Sequence, residues 1–95
     1  MRVDVDLSAG GGPPDRALRR LLFVFSRFSA DVLAVELRDA AAAPGRVRRA
    51  AQVTFAGGAG LALQAEDEPG EAATEFFIDR LGRAVARRLQ TRGSR

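Results

Sequence analysis

Residues 69–90 read PGEAATEFFIDRLGRAVARRLQ, and the layout of the chain follows from what this stretch can be. A proline among acids opens it and arginines close it before Gly93, which matches the helix macrodipole at both ends. At 100° per residue Ala73, Phe77, Leu81, Ala84, Val85 and Leu89 share one side, while Arg80, Arg83 and Arg87 form a stripe on its flank. Arg88 falls inside the apolar arc, past the edge of whatever the helix covers. Gly82 sits mid-helix, where glycine costs about 1 kcal/mol relative to alanine; either it eases a close approach or it marks a weaker helix.

A helix with one apolar side needs a surface to cover, and the preceding residues supply strands. Leu61 to Ala65 reads as a short strand, joined through Gly57-Gly58-Ala59-Gly60 to Val47 to Phe55 in an antiparallel hairpin. The first half of that longer strand is polar and is expected to extend past the core. Val32 to Arg38 reads as another strand with Leu33, Val35 and Leu37 on one face; Ala40 to Gly45 reads as a loop in preference to a helical turn. At the N-terminus Val3, Val5 and Leu7 alternate with Arg2, Asp4 and Asp6, the period of a half-buried strand. Pro13-Pro14-Asp15 then starts a helix over 14–26, with Leu18, Leu21, Leu22 and Phe25 as the core stripe and Arg16, Arg19, Arg20 and Arg27 turned away.

The order is β-α-β-β-β-α. One helix crosses between parallel strands, hairpins join the rest, and both helices cover one face of a four-stranded mixed sheet. This α+β arrangement is like that of a double-stranded-RNA-binding domain. With 95 residues, 46% of them apolar, we expect one domain over 1–92 and a C-terminal tail over 93–95.

Composition narrows the chemistry. Cysteine and histidine are both absent, which removes thiolate nucleophiles, the commonest general base and nitrogen or sulfur zinc sites. No enzyme, cofactor, metal or small-molecule substrate is expected. Gly10-Gly11-Gly12 precedes a helix, but Pro13-Pro14 follows where a phosphate loop needs Gly-Lys-Ser/Thr. The acids at 66–68 lack cation-loop spacing and suit helix capping. Neither a signal-peptide block nor a long apolar run occurs, so a cytoplasmic protein without membrane contact is expected.

Net charge is only +3, yet every basic residue is arginine, the side chain best suited to bidentate phosphate contacts and to stacking on bases. Residues 66–79 hold six acids and no arginine; residues 80–95 hold six arginines and no acid. Two basic helix faces side by side would merge into one phosphate-binding patch, the alternative being ordinary solvated faces. Phe23 lies about 140° from Leu18, among Arg16, Arg19, Arg20 and Arg27. It either stacks on a base or packs locally. Phe76 falls on the arginine side of the last helix, and packing between the two helices is expected for it.

Four segments carry a family resemblance: Ser26-Arg27-Phe28-Ser29 with Val32 and Val35-Glu36-Leu37; Gln52-Val53-Thr54-Phe55; the hairpin with Leu61-Ala62-Leu63; and Ile78-Asp79-Arg80-Leu81 with Arg83. With the element order, they make nearly the whole chain resemble the bacterial ribosome hibernation-promoting and ribosome-associated inhibitor family (sigma modulation, S30EA-like). The family's acid, aromatic and Ala-Ile run at the start of the last helix stands here as Pro69-Gly70-Glu71-Ala72-Ala73-Thr74. The resemblance implies a stress-response protein that binds the small ribosomal subunit and its rRNA in the channel of messenger and transfer RNA. It also implies a short form, without the second domain that dimerises ribosomes. Arg27, Arg80, Arg83 and Arg87 match the family's RNA-contacting positions. Arg16, Arg19 and Arg20 join them by helix face, and Phe23 and Arg88 complete the expected RNA-binding set. A monomer is favoured. The alternative is a small homo-oligomeric protein-interaction module that uses the open face of the sheet.

Overall fold

The computed structural model describes residues 1–93. It has strands β1 (Arg2–Asp6), β2 (Val32–Ala41), β3 (Val47–Phe55) and β4 (Gly60–Asp67), and helices α1 (Pro14–Phe25) and α2 (Glu71–Gly93). A single 3-10 turn, Ser26–Phe28, continues α1. The sheet order is β1-β2-β3-β4, with β1 parallel to β2 and the other pairs antiparallel. This is the expected α+β layout. Of the expected tail, residues 94–95 lie outside the described residues, and Gly93 still belongs to α2.

Strand alternation builds the floor of the core. Val35, Leu37, Ala51, Val53 and Phe55 are buried against the helices, and Val3, Val5, Leu61 and Leu63 pack around them. Leu33 was expected among the inward residues and is instead 54% exposed. A register shift between Val32 and Ala34 turns Val32 into the core in its place, because a bulge breaks the period of two. The first half of β3 is not beyond the core either. Val47, Arg49 and Ala51 are all buried, since β2 runs on to Ala41 and β4 to Asp67, flanking β3 along its whole length.

The helices are buried on two sides, by the sheet and by each other, and this rotates their apolar arcs from those read on isolated wheels. In α1 the buried residues are Ala17, Leu21 and Phe25, while Leu18 is half-buried and Leu22 is 47% exposed. In α2, Thr74, Ile78 and Gly82 join Phe77, Leu81 and Val85 in the interior. Phe28 closes this end of the core edge-on against Phe25, with ring centres 5.7 Å apart.

The helices approach each other closely at Gly82. A Cβ built there would overlap Val24 Cγ1, so close packing is the reading of Gly82 that holds. Gly82→Ala is therefore expected to destabilise the fold despite alanine's better helix propensity, and Val24→Ala in the same chain is expected to restore part of the loss. A double-mutant cycle in urea should give a coupling of about 1 kcal/mol; additive effects would show that the helices do not meet there.

The opposite end of the molecule is a polar junction. Asp39 on β2 accepts hydrogen bonds from the Ala9 and Gly11 amides at 2.9 and 3.0 Å. Thr74 Oγ1 donates to the Gly11 carbonyl at 2.6 Å and accepts from Arg49 Nε at 2.9 Å, and Arg49 Nη2 donates to the Gly70 carbonyl at 3.2 Å. The Gly70 amide donates to the Gly10 carbonyl at 2.8 Å. A side chain at Gly11 would meet Asp39 Oδ2 and Thr74 Oγ1, so the glycine run allows the loop to pass between strand and helix. The acids at 66–68 do not cap α2. Glu66 and Asp67 belong to β4, Glu66 lies 3.5 Å from Arg48, and Glu71 is the acid in the first turn.

Candidate nucleic-acid interface

The outer surface of the two helices gathers most of the residues singled out in the sequence. Along α2, Phe76, Arg80, Arg83 and Arg87 follow at helical spacing and all are exposed. Along α1, Arg16, Arg19, Phe23 and Arg27 are exposed, with Arg27 in the 3-10 turn stacked over the Phe28 ring at 4.7 Å. Arg19, Arg27, Arg80, Arg83 and Arg87 make no ion pair among the described residues.

The seam between the helices is electrostatically tied. Arg20 lies against Asp79, Nε and Nη2 donating to Oδ1 at 3.0 and 2.8 Å and Nη2 also to Oδ2 at 2.8 Å. The hydrogen bond and the charge of Asp79, helped by Glu75, hold the Arg20 guanidinium above its ordinary value. Arg20 thus keeps its charge but is already partnered. Arg16 likewise reaches Glu71 Oε1 at 2.7 Å, although both groups remain solvent-accessible.

Beside this seam is a cleft of about 390 Å³, lined among others by Arg20, Phe23, Arg27, Asp79 and Arg83. Phe23 is 73% exposed and also borders a second, shallower depression with Arg16, Arg19 and Arg20. The ring does not pack into the core. Phe76, expected to pack between the helices, is 57% exposed, because Glu75 and Asp79 face α1 and Phe76 points outward with the arginine stripe.

Arg88 does not join this surface. Its Nη2 donates to the Gly60 carbonyl at 3.0 Å and its guanidinium lies 5.9 Å from the Phe55 ring centre, so it clasps the β3–β4 hairpin to α2. Its place within the apolar arc is the sequence signal for this difference. Asp79 and Ser26, which also line the cleft, were not among the expected site residues. The Arg20–Asp79 contact spans 59 positions and has no local signature.

The open face of the sheet has the opposite character. Arg38 lies within 3.2–3.7 Å of Glu36, Asp4 and Asp6, and Arg48 faces Glu66 across the β3–β4 pair. Charges there neutralise one another.

No protein-family model and no curated protein sequence matches this chain. Among solved structures, the crystal structure of the Thermus thermophilus Protein Y N-terminal domain superposes with a TM-score of 0.66 at 21% identity. The match covers 92% of this chain and 98% of that domain. This chain has the Protein Y N-terminal-domain fold. The resemblance read from the four sequence segments is thus borne out as a likeness of architecture to Protein Y, extending over nearly the whole length of both chains. No described helix is long and apolar enough to cross a membrane.

Proposed function

We propose that this protein is a ribosome-associated, rRNA-binding hibernation factor that occupies the mRNA/tRNA channel of the small subunit through its arginine-bearing helix faces. It makes and breaks no bond; its action is occupancy. The observation that carries this reading is the contrast between the two faces of the molecule. The helix face presents Arg19, Arg27, Arg80, Arg83 and Arg87 without ion-pair partners among the described residues, whereas Arg38 and Arg48 on the sheet face are neutralised by neighbouring acids. Unpaired guanidinium groups are available to phosphates, and their summed field attracts a polyanion.

The resemblance of the four sequence segments to the ribosome hibernation family supports the same direction, and the Protein Y N-terminal-domain fold spans 92% of the chain. Arg27, Arg80, Arg83 and Arg87 are proposed as phosphate contacts, with Arg16 and Arg19 beside them and Phe23 as the aromatic contact. A cytoplasmic protein acting as a monomer, in translation control under stress, fits this role. The test is co-sedimentation of the purified protein with bacterial small subunits at low and high salt. Salt-sensitive pelleting is expected. No pelleting at any salt, together with a dimer by light scattering, would favour a protein-interaction module.

A further inference from the structure

The cleft between the helices has a composition that a phosphate-binding surface alone does not require. A flat basic face would serve for duplex backbone. Here an aromatic ring, an ion-paired carboxylate and free arginines converge on one concavity of about 390 Å³, at the small end of the size range of ligand sites. We propose that this cleft is a pocket for a single unpaired nucleotide of RNA, its base stacked on Phe23 and its flanking phosphates held by Arg27 and Arg83. The inference rests on the RNA-binding reading above and adds to it what the site selects.

Phe23 is the most exposed large apolar side chain among the described residues, at 73%, and leaving it in water has no packing advantage. A ring at this position offers a stacking platform to a base whose face is uncovered, which a base inside a duplex is not. Arg20 approaches the ring at 5.8 Å and, being fixed by Asp79, holds a constant positive charge beside it. Arg27 and Arg83 line the same cleft and form no ion pair among the described residues, so phosphates on either side of the base have partners.

Asp79 sets the preference. Its two oxygens accept three hydrogen bonds from Arg20, two at Oδ1 and one at Oδ2. A carboxylate has about four acceptor positions, so one remains at Oδ2. The side chain is 31% exposed and reachable from the cleft. An exocyclic amino group, as on adenine, would satisfy that position. Uracil would bring a carbonyl oxygen against the carboxylate, on either side of its one N–H. Adenine also offers the larger stacking surface.

Fluorescence anisotropy with three short RNA hairpins, each closed by the same non-nucleotide linker so that no loop base is present, tests this: one fully paired, one with a single bulged adenine and one with a single bulged uracil. The wild-type protein is expected to bind the bulged-adenine hairpin about tenfold more tightly than the paired one, the size of one base–aromatic stack. The uracil bulge should gain less. Phe23→Leu, at an exposed position, should erase the difference while leaving binding to the fully paired hairpin, which offers the ring no unpaired base, in place. Equal affinity for all three hairpins alongside salt-sensitive subunit pelleting would overturn the pocket and leave the ribosome reading standing. Failure to bind either RNA or subunits would remove both. Displacement of the bulged hairpin by free AMP, at a concentration no higher than the hairpin's own Kd, would overturn RNA as the ligand in favour of a mononucleotide.

Discussion

Arg80→Glu, Arg83→Glu and Arg87→Glu introduced together are expected to abolish co-sedimentation with small ribosomal subunits at moderate salt. All three side chains are exposed on the outer side of α2 and none is engaged in an ion pair among the described residues, so the fold should tolerate their replacement. The change converts three attractions into three repulsions. Juxtaposed like charges cost several kcal/mol, so affinity should fall at least ~100-fold. Neutral replacement by glutamine should show a graded form of the same effect. Each phosphate contact removed lowers the salt slope by about one, and the triple glutamine variant should lose about three. Arg48→Glu on the sheet face, compared with Arg83→Glu alone so that the change in charge is the same, is the matched control, expected to leave binding unchanged because that charge is already neutralised by Glu66. Unchanged pelleting of the triple glutamate variant would exclude α2 as the contact surface. Equal loss in the Arg48 control would reduce the effect to net charge alone.

Arg49→Ala is expected to cost about 3 kcal/mol of stability, whereas Arg49→Met should stay within about 1 kcal/mol of the parent. Arg49 is 1% exposed and has no carboxylate within ion-pairing distance among the described residues. Its cross-strand neighbour Asp39 is turned toward the Ala9 and Gly11 amides. The guanidinium is held by Thr74 and the Gly70 carbonyl, and Nη1 is buried without a partner among the described residues. Burying this charge is costly. What it supplies in return is volume, since Thr74 still bonds Gly11 and the Gly70 carbonyl still accepts from the Thr74 amide when Arg49 is removed. Truncation therefore leaves a cavity beneath the start of α2, and methionine fills it without a charge to desolvate. In a domain of this size the alanine variant should melt roughly 10–25 °C lower. If methionine proves as damaging as alanine, the hydrogen bonds and not the packing hold the junction.

How far the sequence alone reaches is visible in particular residues. Its local periodicities were sufficient for the element order, for the parallel crossover and for the outward basic side of each helix, because amphipathic spacing separates a charged side from an apolar one. Arg19, Arg27, Arg80, Arg83 and Arg87 were legible as an exposed basic surface for the same reason, and Phe23 as a residue among them. Three things needed the tertiary structure. The bulge at Val32–Ala34, which exchanges Val32 for Leu33 in the core, depends on how β2 registers with β3. The rotation of both helical arcs, which buries Ile78 and Gly82 and exposes Leu22, arises because each helix is covered from two directions at once. The cleft is bordered by Arg20 meeting Asp79 across 59 positions, and Arg88 and Arg49 are committed elsewhere, to the hairpin and the polar junction. Periodicity reports which side of an element faces inward, but pairings between distant side chains are set by packing in three dimensions. The sequence by itself thus determined the layout and the charged face, and only the tertiary structure decided which arginines remain free on that face and which are committed to holding the fold.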